Sequence, residues 1–204
     1  CLFHTTWSPD DADKYPPFDD EVASLRREFN VWLEATIPIP DTWTIGHIVA
    51  SYINWSAVLH PYGNHQRPTM LMSKNWMNKV WSWDHCFNAL ALAEQDPELA
   101  WDQLILFFDH QVESGAIPDH LTDTTKSFRF FKPPIHGWTL RKLMALPDVV
   151  DDEKLNAIYP ALCRWTDWWF SARDDDNDGI PQYNHGNESG WDNGTVFAEI
   201  VPVE

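Results

Sequence analysis

The chain has 204 residues, of which 44% are hydrophobic and 14% aromatic, enough to bury a sizeable core. Its formal net charge of −17 opposes binding to a phosphate backbone, so nucleic acid is not an expected partner. No apolar run approaches the roughly 20 residues that span a bilayer, and three cysteines without metal-type spacing argue against a disulfide framework or a zinc site. We expect a soluble globular protein, with the cytoplasm favoured as its compartment.

Six amphipathic helices are predicted along the chain, after an irregular lead-in at residues 1–18. In each helix the apolar residues recur every three or four positions, the period of a helix with one buried face. The predicted helices span residues 18–35, 44–59, 83–94, 97–113, 135–146 and 151–172. No stretch alternates apolar and polar residues between hairpin turns, so the sequence predicts an all-α fold.

Long polar connections at residues 63–80, 114–134 and 173–197 alternate with shorter turns, so we expect every second connection to lie on one functional face. The chain also contains 13 tryptophans. Flat aromatic faces suit sugar rings, whose C–H groups pack on them while the hydroxyls seek polar partners. Packing in the core is the alternative interpretation for most of these indoles.

The first of these connections leads into Trp81-Ser82-Trp83-Asp84, which places an acid at the start of a predicted helix. One interpretation is that Asp84 binds sugar hydroxyls with Trp81 or Trp83 beside it; the other is that its charge favours the helix dipole. Near the end of the second connection, Lys132 is a candidate to hydrogen-bond a hydroxyl. Trp138 is a candidate aromatic wall. The alternatives are a surface lysine and a packed indole.

The third connection begins with an acidic segment, Asp174-Asp175-Asp176-Asn177-Asp178-Gly179-Ile180. Its oxygen ligands at alternate positions, followed by a glycine and a backbone carbonyl, match the first half of a calcium loop. His185 stands where an EF-hand has its final glutamate, which excludes an ordinary EF-hand. The predicted ligands of Ca²⁺ are Asp174, Asp176, Asp178 and Ile180, with an acid from elsewhere completing the shell. The alternative is an acidic turn that merely ends the last helix.

The same connection continues into Asn184–Phe197, which combines glycines, amides, aromatics and carboxylates without a helical or strand period. Asp192 is the predicted catalytic acid, because its aromatic neighbours can raise its pKa by partial desolvation and keep it protonated. Glu188 is predicted to bind a hydroxyl or to tune Asp192, and Trp191 to supply an apolar wall. Glycoside hydrolysis needs a second carboxylate across the sugar ring, and no convincing partner follows Asp192.

These segments occur in the same order as motifs of glycoside hydrolase family 63, which the chain resembles over roughly residues 70–197. That family includes processing α-glucosidases and the mannosylglycerate and glucosylglycerate hydrolases, and it is similar, more distantly, to the trehalases of family 37. The matching motifs are Trp81-Ser82-Trp83-Asp84, Gly115-Ala116-Ile117-Pro118-Asp119, Lys132-Pro133-Pro134, Asp174 to Gln182, and, most specific of all, Glu188-Ser189-Gly190-Trp191-Asp192-Asn193.

The resemblance implies an (α/α)6 barrel and hydrolysis with inversion at the anomeric carbon. Asp192 then matches the general acid, and Asp84 matches the aspartate that binds the sugar whose glycosidic bond is cleaved. The acidic segment from Asp174 resembles a calcium loop of bacterial members. The family's general base is a glutamate far downstream of the acid, so we expect residues 19–204 to supply about the first half of the barrel, inactive on its own.

Three readings of the function remain open. The first is an inverting α-glycosidase acting on an oligosaccharide or a small glucoside, completed by the C-terminal half of the same polypeptide or by a second chain. The second is a trehalase-like hydrolase of α,α-glucosides. The third is a non-catalytic carbohydrate-binding protein, with an interaction scaffold as a weaker option. Product release by the full-length protein separates the enzymes from the binding protein.

Overall fold

The structure is a computed structural model that describes residues 16–73, 77–191 and 194. The chain divides into two compact units, residues 1–56 and 57–204. Helices provide most of the regular structure, which confirms the predicted all-α class. No helix among the described residues is both long and apolar enough to cross a membrane. The predicted boundary after residue 18 stays a prediction.

The first unit contains helix α1 (Phe18–Glu34) and nearly all of α2 (Thr44–Ala57). Acidic residues occupy the first turn of α1, where their charge favours the helix dipole, and the helix ends before Pro38 and Pro40. Contacts between the two helices are partly aromatic, because the ring of Phe29 lies 5.4 Å from that of Trp55. The Trp55 indole N–H also donates to Glu28 Oε1 at 2.9 Å.

The second unit contains helices α3 (Ser82–Leu92), α4 (Pro97–Ile105), α5 (His136–Leu143) and α6 (Asp152–Ala172). Helix α3 packs against both α4 and α5. The starts of α4 and α6 follow ordinary capping chemistry: the Asp96 carboxylate accepts from the Leu99 amide at 3.0 Å, and Asp151 accepts from the Lys154 amide at 2.7 Å.

Five strands of two residues each were not predicted. β1 (Val58–Leu59) pairs with β2 (Thr69–Met70), and β3 (Val80–Trp81), β4 (His120–Leu121) and β5 (Lys126–Ser127) form an antiparallel ladder in that order. The prediction of a helix through residue 59 was therefore wrong at its end. Two-residue strands escape a search for alternation because they contain a single period of the two-residue alternation, whereas a recognisable pattern needs four or more residues.

Helix α4 is also shorter than predicted, since it ends at Ile105 rather than near residue 113. A 3-10 turn at Phe108–His110 follows it. The apolar period continues past the helix because this turn, not a further α-helical turn, buries the side chains of Phe107 and Phe108. Periodicity here reports burial correctly and overestimates helix length.

The core of the second unit is rich in aromatic side chains. Trp165 and Trp168 of α6 stack at 5.2 Å, and Trp101 of α4 is also buried, so the core interpretation holds for several indoles. Two fully buried imidazoles complete this core: burial lowers the pKa of His85 to about 3 and that of His136 to about 4. Both rings are therefore neutral near pH 7.

Candidate active site

The junction of β3 and α3 fixes the Trp81-Ser82-Trp83-Asp84 motif. Trp81 pairs with His120 across the ladder, and their rings lie 5.6 Å apart. The Ser82 amide then donates to the Asp119 carbonyl at 2.8 Å, and α3 begins there. Asp84 is consequently half-buried in the first turn of α3, where its charge favours the helix dipole. Its predicted contact with a sugar stays a prediction.

A network around the buried carboxylate of Asp119 joins this junction to the second long connection. Asp119 is 2% exposed; its Oδ1 lies 3.3 Å from Lys132 Nζ and its Oδ2 lies 3.2 Å from His120 Nδ1. Because the carboxylate accepts, His120 carries its proton on Nδ1, and Nε2 can accept from Lys79 Nζ at 3.3 Å. Lys132 also donates to the Phe130 carbonyl at 3.0 Å.

Asp119 and His120 were not among the predicted site residues, although Asp119 belongs to one of the quoted motifs. Lys132 was predicted to bind a sugar hydroxyl. A lysine ammonium has three N–H donors, so one remains beyond its two bonds within the described part of the chain. The predicted role of Lys132 is compatible with this arrangement and stays a prediction.

A second buried carboxylate, Glu188, organises the third long connection. It is 2% exposed and lies in a 3-10 helix at Gly186–Ser189. Its Oε1 accepts from Arg173 Nη2 at 3.0 Å, and its Oε2 accepts from the Asn184 amide at 2.7 Å. Burial, together with the charge of Glu188, raises the pKa of Tyr183. Both Glu188 oxygens thus have partners inside the protein, and its predicted bond to a substrate hydroxyl stays untested.

Arg173, which the sequence did not single out, holds its guanidinium over two neighbouring aromatic rings. The Cζ atom lies 4.9 Å from the centre of the Trp168 ring and 5.4 Å from that of Phe131. Both distances are in the range of favourable cation–π contacts. Arg173 is the residue that follows the last residue of α6, so a core helix anchors the carboxylate of the following loop.

The two motif segments meet at Gly190 and Trp83. Gly190 adopts a left-handed conformation with φ +68°, and a Cβ placed on it would lie 3.3 Å from Cε2 and Cζ2 of the Trp83 indole. The Gly190 backbone therefore rests against the face of Trp83, a close approach and a torsion that both favour glycine. This contact joins the segment at residues 188–191 to the start of α3.

The predicted catalytic acid, Asp192, lies outside the described residues. On its N-terminal side, Trp191 is 69% exposed and its amide donates to Ser189 Oγ at 3.0 Å. The Trp191 carbonyl accepts from the Gly194 amide at 3.1 Å, so described residues that flank Asp192 in the sequence are bonded to each other. Whether Trp191 forms a wall of the site stays a prediction.

Trp138 ends a short run of aromatic side chains that starts at Trp83. The ring of Phe87 lies 5.2 Å from Trp83 and 6.2 Å from Trp138. Trp138 is 47% exposed, with Lys142 Nζ 5.9 Å from its ring centre. Trp138 is therefore exposed enough to contact a ligand and is not a fully packed indole. Its predicted role as an aromatic wall of a sugar site stays a prediction.

The acidic segment that begins at Asp174 brings its carboxylates together. Oxygens of Asp174, Asp176 and Asp178 lie within 4.8 Å of one another, a spacing that suits a shared cation. Asp174 also accepts from the amides of Asp178 and Gly179, each at 3.0 Å, which curls the segment as a calcium loop requires. The donor set therefore fits Ca²⁺, with the Ile180 carbonyl as the predicted fourth ligand.

Comparison with known proteins gives relatives for most of this chain. Mannosylglycerate hydrolase MGH1 of Selaginella moellendorffii is 26% identical over 151 residues, covering 61% of this chain and 30% of that protein. The mannosylglycerate hydrolase of Thermus thermophilus is 28% identical over 150 residues, covering 61% of this chain and 36% of that protein. The chain thus spans about a third of the length of the curated relatives it matches.

Among solved structures, a GH63 mannosylglycerate hydrolase of Thermus thermophilus in complex with Tris matches with a TM-score of 0.63 at 22% identity. The match covers 76% of this chain and 42% of that one, and it supports a common fold. The resemblance to glycoside hydrolase family 63 is confirmed. Because the family model described as mannosylglycerate hydrolase MGH1-like glycoside hydrolase domain matches residues 77–203, more than half of the sequence, the chain belongs to that family.

Proposed function

We propose that the full-length protein is an inverting glycoside hydrolase that cleaves an α-glycosidic bond, with Asp192 as the general acid. The observation that carries the proposal is the contact of Gly190 with Trp83. It sets the segment leading to Asp192 against Trp83, the residue before Asp84 at the start of α3, in a chain of a glycoside hydrolase family. The general base is a glutamate outside this chain.

In this mechanism the side chains divide between binding and proton transfer. Trp81 and Trp83 offer flat faces to the C–H groups of the sugar, while Asp84 and Lys132 bond its hydroxyls. Asp192 protonates the leaving oxygen as the glycosidic bond breaks. In the same step the base removes a proton from a water that bonds to the anomeric carbon on the opposite face of the ring, and the two carboxyl groups lie about 6.5–9.5 Å apart, as inversion requires.

The names of the relatives direct the choice of substrates. Mannosylglycerate is the first candidate because the curated relatives described above are named for it, and simple α-glucosides are the second. Trehalose tests the trehalase-like alternative. The full-length protein is incubated with each of these and with glucosylglycerate, and the configuration of the released sugar is followed by NMR from the first minutes.

The decisive variant is Asp192→Asn, with Asp167→Asn, an exposed aspartate of α6, as the control. We expect the first to lower kcat about 1,000-fold on a substrate with a poor leaving group, since general acids typically contribute 10²–10⁴-fold, and the second to leave kcat unchanged. Near-normal turnover by Asp192→Asn would refute the acid assignment. Sugar binding by the wild type without any product release would instead establish a carbohydrate-binding protein.

We also propose that the acidic segment holds a structural Ca²⁺ ion through Asp174, Asp176, Asp178 and the Ile180 carbonyl, with no part in the chemistry. The carboxylate oxygens within 4.8 Å of one another motivate this. Ca²⁺ at 100 times its Kd is expected to stabilise the fold by about 2.7 kcal/mol. Asp176→Asn should weaken binding in calorimetric titrations, whereas the exposed neighbour Asp175→Asn should not. Equal melting temperatures in Ca²⁺ and in EDTA would rule the site out.

A further inference from the structure

The guanidinium of Arg173 is held by more contacts than a surface ion pair requires. Its side chain is 15% exposed, lies over the rings of Trp168 and Phe131, and donates from Nη1 to the Ala172 carbonyl at 3.1 Å. Such a group has little conformational freedom, and its planar fork presents the remaining N–H groups in a fixed direction. Arg173 is therefore a rigid donor at the end of α6.

Arg173 donates to Glu188, and both oxygens of that carboxylate accept hydrogen bonds within the protein. Glu188 accepts from Arg173 Nη2 at 3.0 Å and from the Asn184 amide at 2.7 Å, and its side chain is 3% exposed. A charge this deeply buried persists only when it is paired. The position of Glu188 is consequently set by Arg173, and the backbone at residues 184–188 is closed around it.

Hydrogen bonds of Ser189 link the residues on either side of Glu188 to Trp191, the residue before Asp192 in the sequence. Ser189 Oγ donates to the Gly186 carbonyl at 2.7 Å and accepts from the Trp191 amide at 3.0 Å. Gly190, between them, rests on Trp83. Any displacement of Glu188 is thus transmitted through this short segment to the residue that immediately precedes Asp192.

We propose that Arg173 is a positioning residue for the general acid: by holding Glu188, it fixes the segment at residues 184–191, which precedes Asp192 in the sequence. The proposal rests on the proposed function, because it requires Asp192 to be the acid. It assigns Glu188 to the support of the acid rather than to the substrate. Neither residue transfers a proton or touches the sugar in this scheme.

The test compares two substrates of the same sugar in the full-length protein: a glycoside with an alkyl leaving group and the glycosyl fluoride. Departure of an alkoxide needs the acid, whereas fluoride departs with much less proton transfer. Arg173→Met and Glu188→Gln are expected to lower kcat about 100-fold on the alkyl glycoside, the effect of a misplacement of roughly 1 Å. Both should leave kcat on the fluoride near the wild-type value.

Three further variants serve as controls for this test. Arg173→Lys keeps the charge, guards against a failure of Arg173→Met to fold, and should restore part of kcat on the alkyl glycoside. Arg164→Met, at an exposed arginine of the same helix that donates to Gln111 Oε1, should change neither substrate. The double variant Arg173→Met/Glu188→Gln should lose no more than either single one, because the two residues act as a unit.

Equal losses on both substrates, or a rise of KM on both, would overturn the inference and favour a general structural role or a direct contact of Glu188 with the sugar. Asp192→Asn is measured on the same pair. If it shows the leaving-group difference and Arg173→Met does not, only this inference fails. If Asp192→Asn shows no such difference, the acid assignment fails and the inference falls with it.

Discussion

Two buried carboxylates, Asp119 and Glu188, stand in different surroundings although each is paired with a cation. Asp119 lies in the second long connection, directly before β4, and bonds Lys132 and the imidazole of His120. Glu188 lies in a 3-10 helix and bonds Arg173 and a backbone amide. Each is 2% exposed, so burial alone does not distinguish them.

The difference lies in how firmly each cation is held. Lys132 carries a third N–H and is a flexible point charge, so the Asp119 network can still bind a ligand. The Arg173 guanidinium lies over two aromatic rings and is fixed further by its bonds to the Ala172 carbonyl and to Glu188. On the proposed function, we expect the first ion pair to take part in recognition and the second to support the neighbouring loop.

The largest expected difference between the two ion pairs is in the free energy of unfolding that is lost when the cation is replaced. Arg173→Met should cost about 3 kcal/mol, because it leaves Glu188 as a buried charge with only the Asn184 amide as a donor and also removes two cation–π contacts that Lys132 does not make. Lys132→Met should cost only about 1–2 kcal/mol, because Asp119 keeps the His120 N–H as a donor. Urea unfolding at pH 7.5 measures both, with unchanged slopes confirming that the denatured state is comparable.

Lys154→Met provides the reference for a more exposed pair, since its partner Glu98 is 76% exposed, and pairs of this kind contribute about 0–1 kcal/mol. If Lys132→Met costs as much as Arg173→Met, the two carboxylates are equivalent supports, and the distinction between recognition and support is wrong.

A smaller effect tests the contact that joins the two regions. Gly190→Ala and Gly179→Ala both place an L-residue in the left-handed region, at φ +68° and φ +85°, which costs about 1–2 kcal/mol. Only the first adds a Cβ 3.3 Å from the Trp83 ring; Gly179 has open space. We therefore expect Gly190→Ala to lose about 1 kcal/mol more.

Enzyme kinetics provides a second comparison of Gly190→Ala with Gly179→Ala. Gly190→Ala should raise KM, because it shifts Trp83 within the proposed sugar site, whereas Gly179→Ala in excess Ca²⁺ should leave KM unchanged. Steady-state kinetics on the preferred substrate provides the measurement. Identical stability and kinetics for the two variants would show that residues 188–191 do not depend on Trp83.

The helical part of the fold was largely predictable, because it depends on local periodicity and capping. Helix α6 was predicted at 151–172 and observed at Asp152–Ala172, with Asp151 as its cap. The prediction for α1 ended one residue late. Strands β3 and β4 were not predictable in this way, since pairing between residues 80 and 121 leaves no local pattern in either segment.

The candidate site was predictable where the chemistry is concentrated in one motif and not where it depends on partners distant in sequence. Trp83 and the segment at residues 188–191 were singled out from sequence, and the structure brings them together. Arg173 was missed because its partner is 15 residues away and an arginine after a helix has no distinctive pattern. Asp119 was passed over for a similar reason, since Lys132 lies 13 residues further on.

The backbone bond from the Gln182 amide to the Arg173 carbonyl gives the acidic segment between them fixed ends. The chain leaves the end of α6 and returns to the same point before it continues to Glu188. The number of residues between these two ends therefore need not affect the position of Glu188. We therefore expect insertions or deletions at residues 174–181 to change the surface of the loop while the atoms that hold Glu188 stay in place.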